Sequence, residues 1–257
     1  MRVFCICRLK NRRKKFAVSG ALFAVFALPS SLPAADGPAG RPPENIWADY
    51  VKAVGGEAQV DRYTSRETVA DVHHGKPVTL YWEKPNKVLE IAKKERTGFD
   101  GSRCWTLSAK NKVKKLAHGA ELPLEMDANP LRYVHIKDFY SELDAAPMEE
   151  VDGEKMEVIV APNNLASSKL FFDAGTHLLR RVEEKGESSA YFTNTVDFLD
   201  YQEVDGIQLP FKIIHNSTEP GAGTRELHVK KVTHNVVLQS EMFSKPLPGQ
   251  VVLGGKR

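Results

Sequence analysis

Cysteine is almost missing from this chain: there are three in 257 residues, Cys5, Cys7 and Cys104. The first two lie in a segment that reads as a removable leader. That leaves Cys104 alone, so no intrachain disulfide framework holds the fold and the core must stand without one. Also absent is any run of about 20 apolar residues, the length that a membrane-spanning helix needs. Catalytic motifs are missing too: no Gly-x-Ser-x-Gly elbow, no glycine-rich phosphate loop and no His-Glu-x-x-His occurs. His73 and His74 are adjacent on a predicted strand, where consecutive side chains point to opposite faces, so they are poorly placed to share a metal. His118, His135, His177, His215, His228 and His234 are scattered and read as surface or rim histidines. Cys104, between Arg103 and Trp105, reads as a small buried hydrophobe rather than a nucleophile.

What is present begins with the leader. Residues 1–35 carry seven Lys or Arg and no acid, then an apolar run from Phe16 to Leu28, then Pro-Ser-Ser-Leu-Pro-Ala-Ala. This is the three-part pattern of a secretory signal peptide, with cleavage expected after Ala34 or Ala35. No cysteine stands at its end to take a lipid, so the mature protein is expected to be soluble and unlipidated. Without the leader, the excess of 36 basic over 33 acidic residues becomes about −4, 29 against 33. No basic stripe remains for nucleic acid. Residues 36–43, rich in Gly and Pro, read as a flexible lead-in, 44–246 as a single domain and 247–257 as a C-terminal tail.

From Glu44 onward, Ile46, Trp47, Tyr50, Val51 and Val54 fall on one helical face, and Gly55-Gly56 stops the helix. Period-two alternation then predicts strands over Ser65 to His73, Val78 to Lys84, Lys87 to Thr97, Arg103 to Ser108 and Lys112 to Ala117. Asp100-Gly101 reads as a type I′ turn with positive φ at both central residues. Between Glu121 and Leu143 the pattern turns helical: Pro130 can open a helix, and Leu131, Val134, Phe139 and Leu143 form an apolar stripe. Strands resume over Lys155 to Val160, His177 to Glu183, Ile207 to His215 and Glu226 to Thr233, separated by Asp152-Gly153, Asp173-Ala-Gly175, Asp205-Gly206 and Gly221-Ala-Gly223. Turn signals at such short spacing predict a meandering antiparallel sheet that closes or nearly closes. Pro210 should lie at an edge or a bulge.

One stretch carries more than fold class. A strand with Trp82 ends in Lys84-Pro85-Asn86-Lys87-Val88, and Asp100-Gly101-Ser102-Arg103-Cys104-Trp105 follows. This order resembles the periplasmic outer-membrane lipoprotein-sorting family, the lipoprotein carriers of the LolA/LolB-like fold. The resemblance implies an α+β, mainly antiparallel β fold: an incompletely closed β-barrel with an α-helical lid over a hydrophobic cavity. It implies a periplasmic carrier that is not an enzyme, uses no cofactor or metal and is expected to be monomeric. Such a carrier shelters acyl chains of a lipoprotein or other lipid, taken from an inner-membrane exporter and passed to an outer-membrane acceptor. On that reading Leu80, Trp82, Leu89, Ile91 and Trp105 of the strands, with Leu131, Val134, Phe139 and Leu143 of the helical segment, line the cavity and lid. The family's carriers place arginine before the strand-ending proline, where it holds the lid. Here Lys84 is the expected lid contact, although lysine lacks the planar fork of arginine. Two alternatives stand beside the carrier: a lipid- or peptide-sensing module of the same fold, and a hydrolase of envelope lipids or glycans, whose mark would be a His–carboxylate or Ser–His pair in the cavity. A packed interior and a hollow one both satisfy the pattern.

Overall fold

The computed structural model describes residues 40–72, 75–114, 128–162, 166–186, 192–221 and 223–247. The predicted leader, the first half of the lead-in, His73, His74, His118, the first part of the helical segment and all but the start of the tail lie outside them. Helix α1, Pro43–Val54, forms where the apolar periodicity places it, with Pro at its start and Glu44 in its first turn, where an acid complements the helix dipole. Its buried face is Ile46, Tyr50 and Val54. The short α2, Glu57–Val60, follows and buries Val60.

The strands are β1 (Ser65–Val72), β2 (Lys76–Glu83), β3 (Lys87–Ala92), β4 (Glu95–Phe99), β5 (Cys104–Leu107), β6 (Val113–Lys114), β7 (Asp144–Val151), β8 (Glu154–Pro162), β9 (Ala166–Asp173), β10 (Leu179–Gly186), β11 (Asn194–Val204), β12 (Ile207–Ser217) and β13 (Arg225–His234). Among the described residues they form one 13-stranded sheet in the order β6-β5-β4-β3-β2-β1-β13-β12-β11-β10-β9-β8-β7. Every pairing is antiparallel, and β1 with β13 joins the early half to the late half. With β6 and β7 at the two edges the ladder does not close.

The sheet nevertheless curls. Trp82 of β2 shares one buried cluster with Ile159 and Ala161 of β8, Leu170 and Phe172 of β9, Leu179 and Val182 of β10 and Ile207 of β12. Strands so far apart in the order can meet only across a concavity, the consequence of a twisted sheet coiling on itself. Helix α1, α2 and the segment 131–140 fill this half of the concave side.

Turn chemistry accounts for several hairpins. Asp152 and Gly153 (φ 54° and 86°), and Asp205 and Gly206 (φ 53° and 81°), take the paired positive φ of type I′ turns. Asp100-Gly101 departs from the expectation, because only Gly101 has positive φ. Phe99 pairs with Cys104 across a four-residue loop in which the Asp100 carboxylate accepts hydrogen bonds from the backbone N–H groups of Ser102 and Arg103. The strand expected over Lys87 to Thr97 is two strands, β3 and β4, joined by a tight turn at Lys93-Lys94 with Lys93 at φ 56°. No Gly, Asn or Asp marked that turn. Pro210 sits in β12 opposite Tyr201 of β11, beyond Lys212–His228, the last β12–β13 pair. It is therefore at a local edge, as its missing N–H requires.

The helical expectation for the segment ending at Leu143 is corrected over its described part. Residues 128–140 wind as successive turns with a short 3-10 stretch at Ile136–Asp138, and no α-helix forms there. Most of the bonds run from residue i+3 back to i: Arg132 N–H to the Asn129 carbonyl, Val134 to Leu131, His135 to Arg132 and Asp138 to His135, while Tyr140 N–H reaches back four, to Ile136. An α-helix would use the Tyr133 carbonyl for Lys137, but here Trp47 Nε1 donates to it at 3.1 Å. The side chains explain the tighter winding. Leu131, Arg132, Tyr133, Val134 and Ile136 are all buried, too many consecutive positions for one helical stripe. The helical lid expected from this segment is not seen among the described residues.

Candidate ligand-binding face

The concave side is organised by three rows of cross-strand pairs. Residues directly opposite in an antiparallel ladder put their side chains on the same face. The register gives Trp82–Arg66–His234 as one row across β2, β1 and β13, Leu80–Thr68–Val232 as the next and Val78–Ala70–Val229 as the third. The first row borders the filled half of the concavity. Trp82 is 4% exposed, donates from Nε1 to the Ala128 carbonyl at 2.7 Å and packs with the cluster that holds Leu131 and Val134. Beyond it lies a second apolar cluster built on Ala70, Val78, Leu227 and Val229. Leu80, Val72, Phe211, Ile213 and Val232 pack against this cluster and stay partly exposed. Phe211 and Val232 touch both clusters, so the apolar lining is continuous from the filled half into the open one.

The filled half is buried. Tyr50 meets Phe172 at 5.3 Å between ring centroids, and burial drives the phenols of Tyr50 and Tyr133 well above their ordinary pKa. Arg132 donates from Nη2 to the Tyr133 hydroxyl at 2.7 Å, and Tyr140 donates to Ser168 Oγ at 3.3 Å.

Of the residues assigned to a cavity from sequence, the structure brings Trp82, Leu131 and Val134 together in one cluster, with Leu143 partly buried against it. Leu80 lies in the open continuation of the same face. Leu89, Ile91 and Trp105 do not join them. Leu89 pairs with Tyr81 and Ile91 with Thr79, which places them on the opposite face of the sheet. There Leu89 and Trp105 pack with Leu107 and Phe243, and Trp105 Nε1 donates to the Phe243 carbonyl at 2.8 Å. Trp105 lies over Gly98: a Cβ there would stand 2.6 Å from the indole Cζ2. Phe139, expected on the buried stripe, is 47% exposed, because the 3-10 winding rotates it away from the core.

Lys84 does not reach the 131–140 segment directly. Its Nζ lies 3.1 Å from Asp61 Oδ1 and 3.2 Å from the Asp61 carbonyl. Asp61 in turn meets His135 Nε2 at 3.1 Å, and Glu57 lies 3.4 Å from His135 Nδ1. Partial burial pushes the Asp61 carboxyl up, but the hydrogen bonds and charges of Lys84 and His135 outweigh it and hold it below the usual 3.8. Lys84, Asp61 and His135 rim a cavity of about 260 Å³ that is also lined by Trp82, Pro85, Asn129, Leu131 and Asp138. It is smaller than the roughly 300–1,000 Å³ typical of ligand pockets. Glu57, Asp61 and His135 offer three ligand atoms within 4.8 Å of one another, which is metal-like spacing. Lys84 already holds Asp61 with its own positive charge, and this disfavours a second cation. Asp61, His135, Phe211, Ile213 and Val232 were missed from sequence. Alternation along Ile207–His215 could have flagged Phe211 and Ile213, whereas nothing local marks His135.

No family model and no characterised protein sequence matches this chain. Solved structures do. A LolA superfamily protein from Nitrosomonas europaea aligns with a TM-score of 0.54 at 11% identity, over 79% of this chain and 97% of that one. A DUF1329 family protein from Desulfovibrio piger aligns at 0.51 and 14%, with the same two coverages. An outer membrane lipoprotein-sorting protein domain from Vibrio parahaemolyticus gives 0.47 at 13%, over 79% and 98%. The chain has a LolA-like fold.

Proposed function

We propose that this protein is a periplasmic carrier that shelters acyl chains of a lipoprotein or other lipid on the concave face of its sheet and moves them toward the outer membrane. The observation that carries the reading is the open apolar continuation of the concavity, where Leu80, Phe211, Ile213 and Val232 stay partly exposed. Its setting is a fold shared with a LolA superfamily protein. Contiguous exposed apolar surface of this kind marks a binding face.

The physical need is plain. Removing a CH₂ from water gains about 0.8 kcal/mol, so a chain of about fifteen methylenes costs roughly 12 kcal/mol to expose. Transfer from bilayer to protein exchanges one apolar surrounding for another, and the hydrophobic term nearly cancels. Loading and release are then set by partners, an inner-membrane exporter and an outer-membrane acceptor, or by graded affinity. The leader predicted over 1–35 supports the location. Release of the protein by osmotic shock, without incorporation of a fatty-acid label, is the expected outcome.

Native mass spectrometry of the protein purified from its own periplasm tests the carrier reading. The expected result is a lipid adduct, and apoprotein alone under conditions that preserve a control carrier's cargo would overturn it.

One observation favours a second reading, an envelope hydrolase: His135 pairs with Asp61 beside an open cavity. Both imidazole nitrogens, however, face carboxylates, so neither is free to take a proton from a nucleophile. Among the described residues no Ser, Thr or Cys lines the cavity. Ester hydrolysis above background that is lost in His135→Ala would revive the hydrolase.

A further inference from the structure

The first row of the concave face contains a charge where a carrier of neutral acyl chains needs none. Arg66 sits between Trp82 and His234, its direct cross-strand neighbours, and the next two rows are almost wholly apolar. Among the described residues no carboxylate pairs with Arg66, whereas other arginines of the sheet are matched: Arg181 with Asp197 at 2.6 Å and Arg225 with Glu90 at 2.6 Å. Burial lowers the Arg66 pKa to about 10, which still leaves the guanidinium charged at neutral pH. A charge held in such surroundings is costly until a partner arrives. Arg66 is nonetheless partly exposed.

His234 supplies an independent sign. Its side chain is 3% exposed, it stacks on Tyr63 at 4.0 Å between centroids, and Nδ1 lies 2.8 Å from Asp205 Oδ2. Its other nitrogen, Nε2, is buried with no hydrogen-bond partner among the described residues. Two neighbouring polar groups, one cationic and one unsatisfied, therefore share the inner end of an apolar face.

We propose that the concave face binds a single-chain amphiphile with a carboxylate head, the head on the Arg66 guanidinium beside His234 and the chain running over the partly exposed Leu80 and Val232 toward Val72. This rests on the carrier reading and narrows its cargo. The planar fork of a guanidinium matches a carboxylate with two parallel hydrogen bonds. A phosphate monoester brings about −1.5 to −2 charge, and this row offers only one permanent cation to meet it. From Thr68 to Val72 the face runs for four residues, about 13 Å at 3.3 Å each, the length of a medium acyl chain.

The test measures binding of dodecanoate, dodecanol and dodecyl phosphate to the full mature chain by calorimetry, the two anions below their micellar concentrations and dodecanol below its solubility limit. Dodecanoate is expected to bind at least tenfold more tightly than dodecanol, and Arg66→Gln to remove that preference while dodecanol binding persists. Persistent dodecanol binding also shows that the variant is folded. Arg66→Lys, which keeps the charge but not the fork, is expected to fall between the two. Equal binding of dodecanoate and dodecanol, unmoved by Arg66→Gln, overturns this inference and leaves the carrier reading standing. Tighter binding of dodecyl phosphate than of dodecanoate overturns the carboxylate assignment. No binding of any of the three overturns the carrier reading itself.

Discussion

Replacing Leu131 and Phe139 in turn by alanine separates a filled interior from a lid over a hollow one. Leu131 is 8% exposed, belongs to the main buried cluster and also borders the cavity of about 260 Å³. Leu131→Ala removes three carbon groups at about 0.8 kcal/mol each, a transfer loss of ~2.4 kcal/mol. An enclosed void would raise the cost toward 5 kcal/mol, but here the new space merges with a cavity that already exists, so the expected loss is about 2 to 3 kcal/mol. Phe139 is roughly half exposed, and its truncation is expected to cost about 1 kcal/mol, far below the 3 to 5 kcal/mol of a core phenylalanine. The assay is urea unfolding followed by tryptophan fluorescence, since Trp82 is buried in the same cluster as Leu131. Two-state analysis with an unchanged m-value assigns the difference to stability. A loss of 3 kcal/mol or more in Phe139→Ala, or a change within ±0.5 kcal/mol in Leu131→Ala, refutes the packing described for residues 131–140.

Three further outcomes are expected. Gly98→Ala forces a methyl group against Trp105 and should destabilise by about 1 to 3 kcal/mol, with lipid binding per folded molecule unchanged because Trp105 lies on the other face; weaker binding in the folded fraction would count against that placement. The Asp61 carboxyl has a folded-state pKa below 3.8, so its contribution to stability is complete above 3.8 and is lost as the pH falls through the lower, folded value; urea midpoints in Asp61→Asn should lack this acid-dependent component, and an identical pH profile in wild type and variant would reject it. Lys84→Leu should change stability little, because the Lys84–Asp61 pair is well exposed, yet speed release of a fluorescent fatty acid if the pair latches residues 131–140 through His135; unchanged release removes Lys84 from the mechanism.

Most of the fold was legible because its cues are local. Ile46, Tyr50 and Val54 recur at helical spacing and are the buried face of α1. Asp152-Gly153 and Asp205-Gly206 announce hairpins through the conformation they take. Lys93-Lys94 turns just as tightly with residues that carry no such preference, so β3 and β4 read as one strand. The segment 131–140 was misread for a different reason. Its composition suits a helix, and it is a distant side chain, Trp47, that takes the Tyr133 carbonyl and helps select a tighter winding. Cavity residues were legible only in part, because β3 is buried on both faces: Val88 packs with Phe99 on one side and Leu89 with Trp105 on the other. Alternation shows that two faces exist without showing which is concave. Arg66 was invisible because a lone arginine on a strand looks solvent-facing until its neighbours are known.

The division of the concavity into a filled and an open half bears directly on how a carrier can let go. A chain enclosed on all sides regains the full ~0.8 kcal/mol per CH₂, and ten methylenes would then bind with about 8 kcal/mol. A chain lying on Leu80, Val232 and Val72 would be covered mainly on one side and regain half of that, about 4 kcal/mol, which alone corresponds to millimolar affinity. A charged hydrogen bond to a head group adds about 1.5 to 3 kcal/mol and brings the total between millimolar and micromolar. On the proposed function, an open face with one polar anchor would hold cargo firmly enough to keep it from water and loosely enough to surrender it. Enclosing the chain more fully would slow its release by roughly tenfold for every 1.4 kcal/mol gained. In the proposed carrier, the partly exposed apolar side chains, a liability in an ordinary core, would keep transfer reversible.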